Sequence, residues 1–300
     1  MKPILFAAIA ASALTVGVIA DGNNQVVIKK PYDQSLDNRG GPHGAAETIL
    51  YHGGPILLKT VPLYIIYYGM VPGTTQNIIN TFLSDLNGSK PFAVNTTYTQ
   101  GTGGPAISGS LGFPTVFLDS GASQGTSVGS NTVAAILQHA FANGLKPDSS
   151  GVYFVITAPD ISVSGFCKSF CAYHTKSTTI ASGYTIHYAL VPDPGQGCTG
   201  CDGNFAVYHQ TVTPNGDQGA DEITDAIMHE LSETATDPDL NAWYTKNGQE
   251  NGDLCNYFYG TSPLYHTANG ATANTLLNGH YYLIQYIWRN STPQVCADTP

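Results

Sequence analysis

Leu63-Tyr64-Ile65-Ile66-Tyr67-Tyr68 is an unbroken run of aliphatic and aromatic side chains. β-Branched and aromatic residues favour a pleated backbone, and a run without polar alternation reads as a buried strand. Downstream, Ile78, Ile79, Phe82 and Leu86 recur at helical spacing, so a helix is expected from Thr75 to Leu86. The alternation continues with a strand at Thr115–Leu118 and a helix at Asn131–Asn143. In that helix Asn131 is the expected cap, and Val133, Ile136, Leu137 and Phe141 face inward. Strands follow at Val152–Thr157 and Tyr184–Val191, the latter stopped by Pro192, and one more is expected at Tyr281–Trp288. Strands that alternate with helices, with no convincing linker, predict an α/β or α+β fold. The expected form is a single large, loop-rich domain with a mixed sheet flanked by helices.

The ends and the composition narrow the class. Lys2, the apolar stretch Ile4 to Ile19 and the small-residue site Val18-Ile19-Ala20 read as a signal peptide over residues 1–20. Residues 21–50 are polar and glycine-rich and read as a flexible arm, which leaves residues 51–300 as the domain. No later segment is long and apolar enough for a membrane span, so a secreted, extracellular protein is expected. Charged residues make up only 11% of the chain and the net charge is −10. That composition argues against nucleic acid and against anionic membrane surfaces, both of which call for basic patches.

Cys167, Cys171, Cys198, Cys201, Cys255 and Cys296 form an even set, which in an exported chain predicts three disulfides. If the first four pair among themselves, Cys255 pairs with Cys296. The alternative for those four is a zinc site. Asn87, Asn95 and Asn290 each begin an Asn-x-Ser/Thr sequon and are expected glycosylation positions in a eukaryotic host.

The chemistry is concentrated in Ile227-Met228-His229-Glu230-Leu231-Ser232-Glu233-Thr234-Ala235-Thr236-Asp237-Pro238. Gly219 and Asp221 mark the start of this helix, Ile223, Ile227 and Leu231 form its apolar stripe, and Pro238 ends it. Glu222, His229 and Glu233 are expected on its polar side. His229 and Glu233 stand four residues apart, which puts two metal ligands one turn apart on a single face. Glu230 holds the place where a zinc hydrolase keeps its general base. A third ligand is expected from Asn247-Gly248-Gln249-Glu250-Asn251-Gly252-Asp253, either Glu250 or Asp253, with Glu250 preferred.

Zinc is the first metal expected. One histidine with two carboxylates is a hard set that also suits calcium or manganese, which Asp237 and Asp239 could join. His174 is read as making a structural hydrogen bond, with a place facing the same cleft as the alternative, His187 as a satisfied sheet histidine and His52 as fixing a turn. Trp243 and Tyr244 are read as packing under the loop. Without a Gly-x-Ser-x-Gly elbow, serine-nucleophile chemistry has no support.

Several segments carry a resemblance. Tyr51-His52-Gly53-Gly54-Pro55-Ile56-Leu57 precedes the strand ending Ile66-Tyr67-Tyr68-Gly69. Later come Gly165-Phe166-Cys167, then Cys171-Ala172-Tyr173-His174, and then Tyr188-Ala189-Leu190-Val191-Pro192-Asp193 leading to Cys198 and Cys201. In that order they resemble the EXORDIUM-like, phosphate-induced protein family. The resemblance implies an extracellular or cell-wall protein associated with growth and signalling, without an established catalytic activity. The family pattern is expected to carry small and apolar residues where this chain has His229, Glu230 and Glu233. That implies a microbial or fungal-type member with an added site. Two functional readings result. One is a secreted metal-binding protein, a zinc-dependent metallohydrolase acting on a peptide or cell-wall substrate. The other is a non-enzymatic extracellular protein acting by binding.

Overall fold

A computed structural model describes residues 19–21, 24–32, 48–129, 131–195, 197–260 and 264–300. The expected signal peptide lies outside the described residues up to position 18, as does the part of the expected arm from 33 to 47.

Seven strands form the central sheet, labelled in chain order. They are β1 (Ile19–Asp21), β2 (Asn24–Lys29), β3 (Leu63–Tyr68), β4 (Thr115–Asp119), β5 (Val152–Thr157), β6 (Ala172–Ser177) and β7 (Ile186–Pro192). Their spatial order is β1-β2-β6-β7-β5-β3-β4. The pairs β7/β5, β5/β3 and β3/β4 are parallel, and β7/β6, β6/β2 and β2/β1 are antiparallel. The fold is therefore a mixed α/β sheet flanked by helices, as expected.

Strands β3, β5 and β7 are apolar but for Thr157 and His187, and they are buried apart from the half-buried Tyr64, as covered parallel strands require. Helix α1 (Gly73–Leu86) leads from β3 out to the edge strand β4, and helix α2 (Thr132–Ala142) leads back from β4 past β3 to β5. Crossovers of one hand that run in opposite directions must lie on opposite faces. The side chains agree. The Tyr67 hydroxyl bonds Asn80 of α1 at 3.0 Å, whereas Phe141 of α2 packs edge-on against Tyr153, which stacks on Tyr64. Asn131 occupies the N-cap position of α2, but its side chain makes no capping hydrogen bond.

The third long helix, α3 (Gln218–Thr236), lies beside α1 on the Tyr67 face, over β2, β6 and β7. Asp217 caps it, accepting the Ala220 amide at 3.1 Å, and accepts the Thr75 hydroxyl of α1 at 2.6 Å. From Gly219 to Thr236 every residue is buried. The side expected to be polar is polar and also internal, because it meets polar residues on the strands below.

Three expectations are revised. The arm expected over residues 21–50 contains β2, whose Val26, Val27, Ile28 and Lys29 are buried as it pairs with β6. The tail strand expected at Tyr281–Trp288 is two short strands, His280–Tyr282 and Ile287–Arg289. Between them Gln285 turns into the core, its amide bonding Asp225 at 2.6 Å. Strand β6 is not among the expected elements. Its sequence Ala172-Tyr173-His174-Thr175-Lys176-Ser177 alternates apolar with polar only loosely, yet it sits mid-sheet.

All six cysteines are oxidised, as Cys167–Cys198, Cys171–Cys201 and Cys255–Cys296. This excludes the four-cysteine zinc alternative, since no thiolate is left to bind metal. Asn95 is also removed from the expected glycosylation positions. It is buried, and its amide donates to Phe92 O and to Ser232 Oγ, both at 3.1 Å. Asn87 is exposed and Asn290 half-buried. Among the described residues no helix is long and apolar enough to cross a membrane.

Candidate metal centre

The sheet register decides which side chains meet α3. Val27, His174, Ala189, Phe154 and Ile65 are paired across five strands in one row, so they share a face, and Tyr67 two residues on shares it too. His174 therefore points at α3. On the same face of β2 and β6, two residues away on either side of this row, stand Lys29 and Lys176.

Each polar strand residue finds an acidic partner on the helix or just beyond it. Lys29 Nζ lies 3.1 Å from Asp225 Oδ2, with both side chains buried. His174 Nε2 lies 3.4 Å from Glu233 Oε2. Lys176 Nζ lies 3.4 Å from Asp239 Oδ2, and Asp239 also meets His187 Nε2 at 3.0 Å.

The loop after α3 closes on the same side chains. Glu250 Oε2 comes within 3.5 Å of His174 Nε2, and Asp253 Oδ1 within 3.9 Å of His229 Nε2. His229 Nε2 is 3.1 Å from Glu233 Oε1, the i,i+4 pair that the helical spacing anticipates. The Asp253 amide donates to Glu233 Oε1 at 3.0 Å, and the Glu250 amide donates to Asp253 Oδ2 at 3.2 Å. Cys255–Cys296 pins this loop to the C-terminal strand Val295–Ala297. Gly252 fits beneath it because a Cβ there would meet Glu233 Oε1 at 2.9 Å and His229 Cγ at 3.0 Å.

Both expected third ligands are thus brought to the helix, Glu250 towards His174 and Asp253 towards His229. The two clusters that result are His174, Glu233 and Glu250, and His229, Glu233 and Asp253. Within each, one donor atom per residue lies within 4.8 Å of the others. Two donors held tetrahedrally at about 2.0–2.1 Å from one ion sit about 3.3 Å apart, which is the scale of the 3.1–3.5 Å separations here.

His174, for which the sequence favours a structural hydrogen bond over a place in the cleft, joins the site. The available signal is its position three residues after Cys171, at the point where the chain returns to the sheet.

The protonation of His229 follows from its neighbours. Lys29 Nζ, which can only donate, lies 2.6 Å from Gln285 Oε1, while Gln285 Nε2 donates to Gly252 O at 2.9 Å. Gln285 Oε1 is therefore an acceptor, and His229 Nδ1, 3.0 Å away, donates to it. Nε2 is left turned towards the carboxylates without a hydrogen-bond partner. A metal-binding imidazole is held in this way, with its outer nitrogen anchored and its inner one free.

Other buried atoms lack partners too: both nitrogens of His174, both oxygens of Glu230, Glu233 Oε2 and Glu250 Oε2. Burial and the neighbouring charge of Glu233 push the Glu230 carboxyl well above the usual range. Burial and the charges of Asp237 and Glu233 do the same to Glu250. Burial and Glu233 raise Asp253 to about 7 against the opposing effect of His229. Burial would also raise Glu233, but His229 and His174 outweigh it and hold that group down at about 2.

Exposure separates the two functional readings. His174, His229, Glu230 and Glu233 are 0% exposed and Glu250 is 1% exposed. A hydrolytic metal site keeps a position open to water and substrate, whereas a structural one is closed. This arrangement is closed except at the edge of the Asp253 side chain, which is 10% exposed.

The other singled-out residues have structural positions. Asp237 ends α3, accepting the Asn241 amide at 2.6 Å and the Ala242 amide at 2.7 Å. Glu222 accepts the Gly203 amide at 2.8 Å. His52 stacks on Tyr244 with ring centroids 3.6 Å apart, and Trp243 donates to Thr99 O at 2.9 Å.

The family model described as "Phosphate-induced protein 1 conserved region" matches residues 49–298. The chain belongs to this family. It is 30% identical to Protein EXORDIUM-like 3 of Arabidopsis thaliana, over 88% of this chain and 90% of that protein. Protein EXORDIUM-like 5 of the same plant is 28% identical, over 82% and 76%, and Protein PHOSPHATE-INDUCED 1 of Nicotiana tabacum is 25% identical, over 82% and 87%. No solved structure matches the chain. These relatives are plant proteins, so a separate microbial or fungal branch of the family, with the His-Glu motif as its addition, finds no support in them.

Proposed function

We propose that this member of the phosphate-induced family is a secreted, extracellular or cell-wall protein built around a closed divalent-cation centre, and that it acts by binding rather than by hydrolysis. Three disulfides suit an oxidising compartment. The observation that carries the reading is the set of imidazole nitrogens and carboxylate oxygens buried at ligand spacing without hydrogen-bond partners. Unpaired buried polar atoms are costly, and a cation satisfies them together. With two imidazoles near the carboxylates, zinc or manganese suits the donors better than calcium, which takes oxygen ligands. The centre ties β6, α3 and the loop at 250–253 together, so its role is to hold the fold.

A second reading keeps Glu230 as the general base of a zinc-dependent peptidase. It is favoured by one observation, the two Glu230 oxygens that lack a donor. It requires the loop carrying Glu250 and Asp253 to lift and admit substrate.

Elemental mass spectrometry on protein purified without chelator, wild type beside His229→Ala, tests the first reading. Bound divalent metal in the wild type, reduced in the variant, is expected. Metal absent from both after incubation with zinc, calcium and manganese would overturn it. Peptide hydrolysis by the metal-loaded wild type that is lost in Glu230→Gln would replace it with the second.

A further inference from the structure

Glu233 is the only member common to the two clusters, and its oxygens are divided between them. Oε1 faces His229 Nε2 at 3.1 Å, and Oε2 faces His174 Nε2 at 3.4 Å. We propose that the centre holds two divalent cations bridged by the Glu233 carboxylate. One ion sits on His174, Glu233 and Glu250, and the other on His229, Glu233 and Asp253. This rests on the metal-binding reading above and extends it from one ion to a bridged pair.

Two observations favour a pair. The first is placement. The two imidazoles fall in separate clusters, each with its own carboxylate from the loop. A single ion taken by His229, Glu233 and Asp253 leaves His174 Nε2 and Glu250 Oε2 buried without partners. A single ion on the His174 side strands His229 Nε2 instead.

The second observation is the shape of the bridge. Glu233 Oε1 also accepts the Asp253 amide at 3.0 Å, which leaves that oxygen a lone pair for an ion, while Oε2 has no hydrogen-bond partner. A carboxylate with its two oxygens turned to different imidazoles is arranged to span two ions.

Two-metal sites elsewhere place their ions about 3.5–4 Å apart, a span that one bridging carboxylate covers.

The pair has a structural consequence. It cross-links three chain segments distant in sequence: β6 through His174, α3 through Glu233 and His229, and the loop through Glu250 and Asp253. Each ion holds a different part of the loop, so losing one ion leaves the other half of the loop tethered.

Full-length protein is dialysed to equilibrium against zinc, and bound metal is counted by elemental mass spectrometry. Two equivalents are expected in the wild type, one in His174→Ala and one in His229→Ala. Because either variant can lose its fold, a measurement on the wild type alone runs beside it. Cobalt(II) is titrated into metal-free protein while the visible absorption and the electron paramagnetic resonance are followed. Absorption rising to two equivalents is expected, with the resonance per cobalt falling as the second ion couples across Glu233. Saturation at one equivalent, without loss of resonance, overturns the pair and leaves the single-ion reading standing. No zinc and no cobalt bound overturns both readings.

Discussion

The two halves of the central sheet are made from opposite materials. In the parallel half, the face beneath α1 is lined by Leu63, Ile65, Tyr67 and Phe154, each at most 1% exposed, and held by dispersion and burial. In the antiparallel half, the same face presents Lys29, His174 and Lys176 to α3, and their partners are charges. One half would be stable with almost any well-packed apolar set. The other is stable only if every charge is matched, because a buried ion without a partner costs several kcal/mol. The difference teaches where function resides, since apolar packing alone gives no reason to bury two imidazoles among carboxylates.

The sharpest way to break this comparison is at Lys29. Among the described residues it is the cation paired with Asp225, and it also donates to Asn256 at 3.0 Å and to Gln285. Lys29→Met removes the charge and keeps most of the volume, leaving Asp225 buried without its counter-ion, held by the Gln285 amide and the Tyr259 hydroxyl alone. The expected loss is about 3–5 kcal/mol in urea unfolding. Ile65→Val in the apolar half of the same sheet should lose only about 0.5–1.5 kcal/mol. Equal losses would mean that the polar half is not held by its ion pairs.

The second probe removes the Cys255–Cys296 bond, which closes a loop of sequence separation 41 next to Asp253. Replacing both cysteines by alanine should cost about 2–4 kcal/mol by releasing unfolded-state entropy. Its diagnostic effect is on bound metal, which should fall with stability if the loop carries ligands. An unchanged metal content would detach the loop from the centre.

Titration separates the halves in a third way. Asp221, near the start of α3, is raised from 3.8 to about 6, chiefly by burial, against the hydrogen bonds that favour its ionised form. A carboxyl whose folded-state value lies above its unfolded value binds its proton more tightly when folded. Stability is therefore fully present below about pH 4 and falls as pH rises towards 6, by about 2–3 kcal/mol at most. Asp221→Asn should flatten the unfolding free energy between pH 4 and 6. A slope unchanged in that variant would place the titration elsewhere.

Much of this architecture is legible in the amino-acid sequence. The apolar half follows from residue type alone: Leu63–Tyr68 and Val152–Thr157 are strands because nothing in them wants water, and α1 and α2 follow from apolar spacing. The pairing of His229 with Glu233 follows from helical periodicity. The polar half is hidden for a physical reason. Strand β6 carries His174 and Thr175 into the interior beside a half-buried Lys176, and residues of that kind signal exposure unless their partners are known. Those partners sit on α3 and the following loop, about fifty to eighty residues away in sequence, a distance that local patterns do not span. Gln285 is hidden likewise. It lies in an apolar run that reads as one strand, and only its bonds to Lys29, His229 and Asp225 explain why the run breaks there.

Gly252 offers the finest test, because it separates the site from the backbone that carries it. Its φ is −74° and its ψ −44°, ordinary helical values, so alanine is conformationally acceptable and should even lower unfolded-state entropy. On backbone grounds Gly252→Ala is neutral or slightly stabilising. On site grounds it is not. The added methyl would stand 2.9 Å from Glu233 Oε1 and 3.0–3.1 Å from the His229 ring, displacing the two side chains that the clusters share or depend on. Overpacking at such a point costs about 1–3 kcal/mol, more than the entropic gain. The expected outcome is a modest loss of stability in metal-loaded protein, a larger loss of bound metal, and little change in stability once metal is stripped from both forms. A variant that loses stability equally with and without metal would show that Gly252 serves packing alone. One that loses neither would show that His229 and Glu233 have room to move, and the polar half of the sheet would then be less tightly determined than its distances imply.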